Sequence, residues 1–278
     1  MKVAVFSDVQ GNIAALETVV EDIDRWQPDL VIMNGDLINR GPRNPECLAL
    51  FSNRIQGDGW LPIRGNHEDF LLYCLDNPPH DPIDAQMRRF ADWTIQQLGD
   101  SLQPLRNWPD HLIFSAPASD AWVHVTHGTL AGNRDGISTQ VSDAQLRGKL
   151  PDAVDLFITA HTHKVHQRTR EGLHILNIGS VGSPFDGDVR AAYARIRFTG
   201  DQWRLEIRRL DYDRKRAAAD FIDSGFLDNA GPLARIIVRE WELARSLFAH
   251  WNREYRQAVL AGEISLEYSV DCFLQSID

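Results

Sequence analysis

The chain has 278 residues, and its 29 Lys and Arg against 39 Asp and Glu give a formal net charge of −10. This length fits one large domain or a domain with an appendage, and a hydrophobic content of 43% excludes a disordered chain. The acidic balance opposes binding to long nucleic acids, and no apolar run approaches the roughly 20 residues that cross a bilayer, so we expect neither as a partner. Three widely spaced cysteines and a strand pattern that starts at residue 2 predict a cytoplasmic protein without disulfides or a signal peptide.

The N-terminal part of the chain alternates between strand and helix patterns. Residues 2–6 form a β-branched apolar run typical of a buried strand, and Asn12 then predicts the N-cap of a helix with one apolar face. Two more strands are predicted at 30–33 and 60–63, and Asn44-Pro45 predicts the start of the helix between them. This alternation predicts an α/β fold built on a sheet.

The middle of the chain changes character, because residues 68–108 lack strand patterns and predict two helices joined by a proline-rich stretch. We expect one domain over residues 1–211, with a helical insertion at about 69–110, and a helical C-terminal appendage over 212–278 packed on it. Beyond the insertion, strands are predicted at 122–126, 155–159 and 173–178, and a hairpin at 191–198 and 203–210.

The C-terminal appendage carries a sustained apolar stripe. Eight apolar residues between Leu233 and Val259 recur every three or four positions, which predicts one long amphipathic helix. In water, such a stripe would form a patch larger than monomers usually tolerate. It must therefore pack on the sheets, roof the functional site, or pair with a second copy in a homodimer.

Side chains that can bind metal collect in five short segments, each directly after a predicted strand. Because ligands gather beyond the carboxyl ends of the strands in an open α/β sheet, we expect these segments to converge. Carboxylates, an amide oxygen and imidazoles together form a mixed oxygen and nitrogen cage suited to Mn, Fe, Zn or a similar ion. Each segment alone also fits a helix cap, a turn or a packed histidine, but no packing requirement produces the ordered set. The five segments are Asp8-Val9-Gln10-Gly11-Asn12, Gly35-Asp36, Gly65-Asn66-His67-Glu68, His127-Gly128 and His161-Thr162-His163.

The ordered motifs resemble those of the calcineurin-like metallophosphoesterase superfamily, which are D-x-H, G-D, G-N-H-[DE], H and G-H-x-H. The resemblance covers about residues 2–185. The stretches 35–42 and 64–68 are similar to the branch that contains phosphoprotein phosphatases and bacterial dinucleoside tetraphosphate hydrolases. The resemblance implies a four-layer α/β/β/α sandwich, two stacked mixed sheets flanked by helices, here with a C-terminal helical appendage.

The resemblance also implies a centre of two divalent metal ions. Asp36 would bridge the two ions, and a metal-bridging hydroxide would attack phosphorus in line. His67 would be the catalytic residue that protonates the leaving oxygen or stabilises its charge, and Arg40 would clamp the substrate phosphate. The remaining ligands would be Asn66, His127 and His161 for one ion, and Asp8, His163 and Gln10 for the other.

Several positions depart from the family pattern or leave their role open. Gln10 stands where the family usually has histidine, and its amide oxygen is a poorer ligand for such metals, so one ion is expected to bind more weakly. Asn39 replaces the aspartate that supports the catalytic histidine in protein phosphatases, and Ala160 replaces a glycine. Arg64 fits either a second phosphate contact or a surface salt bridge, and Glu68 is assigned to surface or packing.

Together these features predict a dimetal phosphoesterase that hydrolyses a phosphoester or phosphoanhydride bond of a small phosphorylated molecule, of nucleotide type. A protein Ser/Thr phosphatase would use the same chemistry on another substrate, and Asn39 counts against it. A non-catalytic binding scaffold on the same fold is the third alternative. The presence of His67 and of the ligand set counts against the scaffold.

Overall fold

Ten strands form two mixed five-stranded sheets in this computed structural model, which describes residues 1–277. In the first sheet, the parallel strands β1, β2 and β3 are extended by the antiparallel hairpin β9–β10, in the order β10-β9-β1-β2-β3. The second sheet has the order β4-β5-β6-β8-β7, with β5, β6 and β8 parallel. The strands are β1 Lys2–Phe6, β2 Leu30–Asn34, β3 Leu61–Ile63, β4 His111–Ser115, β5 Trp122–Thr126, β6 Leu156–Thr159, β7 Val165–Arg170, β8 Leu173–Ile178, β9 Ala191–Thr199 and β10 Gln202–Leu210.

The helices cover the first sheet and continue into the C-terminal appendage. A 3₁₀ helix, Gly99–Asn107, follows the insertion helices α3 to α5. No helix within residues 1–277 combines the length and the hydropathy that crossing a membrane requires. The helices are α1 Ile13–Trp26, α2 Asn44–Asp58, α3 Asn66–Asp76, α4 Pro82–Met87, α5 Arg89–Leu98, α6 Arg214–Asp223, α7 Phe226–Asn229, α8 Leu233–Leu243, α9 Phe248–Glu254, α10 Arg256–Leu260 and α11 Leu266–Ile277.

The alternation of side chains along β1 explains the layers. Val3 and Val5 point between the two sheets, where they join one buried cluster with Val125 of β5 and Ile158 of β6. Ala4 and Phe6 point the other way, into a cluster built with the helices. Because successive residues of a strand face opposite sides, a strand that is apolar throughout must be covered on both faces.

The outer face of the second sheet is covered by the segment between β5 and β6. Phe157 and Ile175 of that sheet pack with Ile137 and Leu146 of the segment, which forms turns where a helix would complete the fourth layer. Two stacked mixed sheets with helices and a helical C-terminal appendage confirm the predicted fold class.

Helix α1 shows how the sequence sets an element. The Asn12 side chain accepts a hydrogen bond from the Ala15 N–H at 3.1 Å, which confirms the predicted N-cap. The predicted cap at Asn44 is wrong, because Arg43 occupies the N-cap position of α2, without a capping side-chain bond, and Asn44 is already helical. The Asn44 side chain accepts from the Asn39 N–H at 2.8 Å, so it holds the preceding loop.

Two strands were not predicted, and both lie at the edges of the second sheet. Strand β4 pairs only with β5 and strand β7 only with β8 among the described residues. Strand β7 reads VHQRTR, and each of its residues is either exposed or only partly buried. Charged and polar residues are typical of sheet edges, because they prevent further pairing, and they also hide the strand pattern.

The single helix predicted over 233–259 is also wrong, because the chain breaks it into α8, α9 and α10. Ala244 adopts a left-handed backbone with φ 48°, and α9 starts four residues later. The stripe itself packs within the chain, since Trp241 and Trp251 are buried in the cluster that the helices form with the first sheet. The domain division at 211 and the homodimer stay predictions.

Candidate metal centre

The five segments named above meet at one edge of the sandwich. Each of their metal-capable side chains follows a strand at its carboxyl end, where the neighbouring parallel strands also end. Most of them are buried, with Asp8, Asp36 and His127 at 0% exposure. Asp8 follows β1, Asp36 follows β2, Asn66 follows β3, His127 follows β5, and His161 and His163 follow β6.

The backbone at these positions is strained. Thirteen residues other than glycine have a positive φ within the described chain, and seven of them belong to this region. A left-handed conformation is unfavourable for residues with a Cβ, so it persists only where the surroundings fix it, and it concentrates at functional sites. The seven residues are Asp8, Gln10, Asp36, Asn39, Arg40, His161 and His163.

Asp36 belongs to two clusters of potential ligands. The first contains Asp36, His127 and His161, and the second contains Asp8, Asp36 and His163, with the ligand atoms of each within 4.8 Å of one another. A carboxylate shared by two such groups is suited to bridge two adjacent ions. The geometry thus matches the bridging role that the resemblance implied for Asp36.

The two amide side chains of the predicted ligand set lie beside these clusters. Asn66 Oδ1 lies 2.7 Å from Nδ1 of His161 and 2.9 Å from Nε2 of His127. The Gln10 amide nitrogen lies 3.3 Å from Nε2 of His163. All seven predicted ligands are thus brought together, with Asn66 at the first cluster and Gln10 at the second.

The hydrogen bonds of the histidines leave acceptor atoms facing one another. Nδ1 of His127 donates to the Asn34 carbonyl oxygen at 2.9 Å, so in the neutral ring its Nε2 carries the lone pair. That Nε2 faces Oδ2 of Asp36 at 3.4 Å. Nδ1 of His163 likewise donates to the Ser183 carbonyl oxygen, which turns its Nε2 toward Oδ1 of Asp8 at 3.1 Å. Two facing acceptors need a proton or a cation between them.

The buried charges of the site call for a cation. Burial lowers the pKa of His127, but the carboxylates of Asp36 and Asp8 outweigh it and raise that pKa above its usual value. Burial also lowers the pKa of His163, and Asp8 raises it above its usual value. Both buried oxygens that face these rings, Oδ2 of Asp36 and Oδ1 of Asp8, lack a hydrogen-bond partner among residues 1–277. Divalent ions coordinated by these atoms would satisfy the acceptors in place of protons, so the residues fit a metal centre.

Glu68 positions the bridging carboxylate, a role that the sequence analysis missed. It is fully buried, and it accepts hydrogen bonds from the N–H groups of Asp36 at 2.8 Å, Leu37 at 2.8 Å and Gly65 at 2.9 Å. A Cβ on Gly65 would lie 2.1 Å from Oδ1 of Asp36, so only glycine lets the two loops approach. In the sequence, the position of Glu68 directly after G-N-H was the signal that could have indicated this role.

His67 lies beside the clusters and is not a member of either one. Its Nδ1 lies 3.0 Å from the Asn39 side-chain nitrogen, and its Nε2 lies 3.8 Å from Oδ2 of Asp36. Burial is the main cause that lowers the pKa of His67, to about 3, so the ring is neutral at pH 7. A neutral ring with one N–H can donate to an oxygen in the site.

The two arginines singled out by the sequence have different surroundings. Arg40 lies next to His67 in the cavity over the clusters and forms an ion pair with Glu240 of the C-terminal appendage. Arg64 pairs with Asp69 at 2.7 Å and Asp110 at 2.9 Å, which is the salt-bridge alternative.

A cavity of about 450 Å³ lies over the clusters. The insertion helices contribute Phe70 and Phe90, and α9 of the appendage contributes Phe248. The rings of Phe90 and Phe248 meet edge to face with centroids 6.2 Å apart, so the two segments join above the site. The appendage therefore roofs the cleft as well as packing on the helices.

A family model of calcineurin-like phosphoesterases matches residues 1–165 of the chain. The crystal structure of a metallophosphoesterase from Sphaerobacter thermophilus is similar, with a TM-score of 0.65 and 25% identity over 88% of this chain and 100% of that chain.

Two sequence relatives differ in how much of the chain they match. An uncharacterized protein of Methanocaldococcus jannaschii is 25% identical over 234 residues, which cover 77% of this chain and 89% of the relative. A protein of Thioalkalivibrio sulfidiphilus, named symmetrical bis(5'-nucleosyl)-tetraphosphatase, is 30% identical over 112 residues, 40% of this chain and 35% of its own length.

Proposed function

The chain belongs to the calcineurin-like phosphoesterase family, and we propose that it is a dimetal hydrolase of small-molecule phosphoesters or phosphoanhydrides, of nucleotide type. The observation that carries this proposal is the pair of ligand clusters sharing Asp36. A buried carboxylate common to two sets of oxygen and nitrogen donors is suited to two adjacent divalent ions.

The ligand atoms divide between two ions. Asp36, Asn66, His127 and His161 would hold one, and Asp36, Asp8, His163 and Gln10 would hold the other. Such ions, when bound, lower the pKa of water and polarise a phosphoryl oxygen. Glu68 contributes by fixing the loop that carries Asp36 through three backbone hydrogen bonds.

His67 is suited to assist the leaving group. The Asn39 amide oxygen accepts from the Arg40 N–H at 2.9 Å, which leaves its amide nitrogen to donate to Nδ1 of His67. A neutral His67 therefore carries its proton on Nε2, the nitrogen on the Asp36 side of the ring. From there it can donate to a leaving oxygen, while the Arg40 guanidinium binds phosphate oxygens.

The cavity favours a small aromatic substrate over a protein segment. Phe70, Phe90 and Phe248 provide apolar and aromatic walls against which a planar base can stack. Arg134 and Arg256 also line it, and neither has a carboxylate partner among residues 1–277. The helical insertion also contributes one carboxylate, that of Asp84, to the lining of this cavity. A relative named as a dinucleoside tetraphosphatase supports the same substrate type.

A substrate panel tests the proposal. Purified protein with Mn²⁺ is assayed on nitrophenyl phosphate, bis-nitrophenyl phosphate, a dinucleoside polyphosphate and a phosphopeptide, with chelator-treated protein as the control. We expect metal-dependent hydrolysis of the nucleotide and not of the phosphopeptide. Preferred hydrolysis of the phosphopeptide would support a protein phosphatase, and no hydrolysis by metal-loaded protein would support the binding scaffold.

A further inference from the structure

Glu240 lies in the C-terminal appendage, 200 residues from Arg40, and reaches the site through that arginine. We propose that Glu240 is a positioning residue, which holds the Arg40 guanidinium in place for phosphate and so makes the appendage a part of the active site. This inference rests on the proposed function, because it assigns Arg40 to the substrate phosphate.

Each oxygen of the Glu240 carboxylate has its own partner. Oε2 accepts from the Arg40 guanidinium, and Oε1 accepts from the backbone N–H groups of Leu247 at 2.6 Å and Phe248 at 2.7 Å. Glu240 itself is 1% exposed. A buried carboxylate with charged and backbone partners is fixed, because losing any one of them leaves a buried group unsatisfied.

The backbone bonds to Glu240 also set the position of Phe248. They hold the start of α9, whose Phe248 ring lies 5.0 Å from the Arg40 guanidinium carbon. The guanidinium is thus held by a carboxylate on one atom and by an aromatic face beneath it. The Arg40 backbone is strained as well, with φ 59°. The ion pair, the aromatic face and the backbone conformation together define where this cation lies.

A fixed arginine matters more for turnover than for binding. A free arginine side chain loses rotamer entropy when it binds phosphate, and a misplaced one reaches the wrong geometry. Removing the carboxylate would free the guanidinium, which weakens phosphate binding. It would also remove a nearby negative charge, which strengthens binding. These effects oppose each other in KM, whereas only the loss of geometry acts on kcat.

The chain offers a matched control. Arg43, in the same loop as Arg40, pairs with Asp220 of α6 at 2.7 Å, and Asp220 is 8% exposed. This pair also ties the loop to the C-terminal appendage, but neither residue lines the cavity. Asp220→Asn therefore loosens the appendage without releasing Arg40.

The experiment compares Glu240→Gln, Asp220→Asn, Arg40→Ala and the double variant Arg40→Ala with Glu240→Gln, all saturated with Mn²⁺ and assayed on the dinucleoside polyphosphate. We expect Glu240→Gln to lower kcat by about 10- to 100-fold, the usual effect of a small misplacement, with little change in KM. Asp220→Asn should keep the wild-type kcat. In the Arg40→Ala background, Glu240→Gln should add nothing, because it acts through Arg40.

Equal loss of kcat in Glu240→Gln and Asp220→Asn would overturn the proposal, and so would additive effects of Glu240→Gln and Arg40→Ala. A crystal structure of the Glu240→Gln variant gives a readout that needs no turnover. We expect the Arg40 guanidinium to leave its place over Phe248 or to occupy several conformers. An unmoved guanidinium would refute the positioning role, whether or not the wild-type protein hydrolyses any substrate of the panel.

Discussion

The side-chain amide of Asn39 donates a hydrogen bond to Nδ1 of His67 across 3.0 Å. The direction is fixed, because the amide oxygen already accepts from the Arg40 N–H at 2.9 Å. An aspartate at this position would accept from Nδ1 and favour a charged imidazolium. The amide therefore sets a neutral His67 with its proton on Nε2, and burial supports this by lowering the pKa to about 3.

Asn39→Asp should change the pH dependence of hydrolysis. The new carboxylate raises the pKa of His67. When the ring is neutral, its remaining proton then lies on Nδ1, where it is donated to the carboxylate, so Nε2 can no longer donate. We expect the variant to lose kcat as the pH rises through the raised pKa. The wild type should show no such loss, because its neutral ring already donates from Nε2. A pH–rate profile between pH 5 and 9, corrected for metal content, measures the difference.

Asn39→Ala serves as the control for that profile. It removes the donor without adding charge, so it should lower kcat at every pH without a new ionisation. If Asn39→Asp and the wild type gave profiles of the same shape, the assigned proton position on His67 would be wrong.

His67→Ala should separate chemistry from metal binding. The residue belongs to neither ligand cluster, so the variant should keep its metal content. Loss of a proton donor should lower kcat by about 10²- to 10⁴-fold. Metal analysis and kinetics on the same preparation make the comparison. Loss of metal together with activity would instead make His67 a ligand.

Gln10→His should strengthen the second metal position. The Gln10 amide lies beside His163, and imidazole is a better ligand than an amide for Mn, Zn or Fe. We expect the wild type to hold fewer than two ions tightly and to respond to added Mn²⁺. The variant should bind more metal per chain after dialysis. Two equally tight ions in the wild type, resistant to chelator, would contradict this expectation.

The sequence predicted the buried strands of the fold because their patterns depend on local composition. Strands β1, β2, β5 and β6 are mostly apolar and mostly buried, since both of their faces are covered. Strand β7 was missed because an edge strand is polar. The break at Ala244 was missed because a contact between a side chain and the backbone overrides helical spacing, namely the bonds from the N–H groups of Leu247 and Phe248 to Glu240.

The candidate ligands were predicted for a different reason. Asp8, Asp36 and the histidines follow strands directly, so chain order alone indicates that they share one edge of the sheets. Glu240 and Phe248 reach the site from the far end of the chain, through packing that no motif encodes. Glu68 could be seen in its motif, but its role depends on three backbone N–H groups brought together by folding.

Trp251→Ala should destabilise the whole protein. Trp251 is fully buried, and its indole N–H donates to the Ser269 hydroxyl at 3.2 Å. Removing a buried Trp side chain costs about 3–5 kcal/mol of unfolding free energy. Urea unfolding measures this loss. Tyr268→Ala, at a side chain 59% exposed in the same appendage, should change stability by less than about 0.5 kcal/mol. Similar losses in both variants would show that the stripe does not form part of the core.

Asp36→Asn tests the central claim most directly, because Asp36 alone belongs to both ligand clusters. Bound Mn²⁺ per chain and hydrolysis of the dinucleoside polyphosphate are measured on one preparation, with Asp69→Asn as a control carboxylate outside both clusters. We expect Asp36→Asn to lose bound metal and nearly all hydrolysis, and Asp69→Asn to keep both. Unchanged metal content and full activity in Asp36→Asn would contradict the assignment of the site.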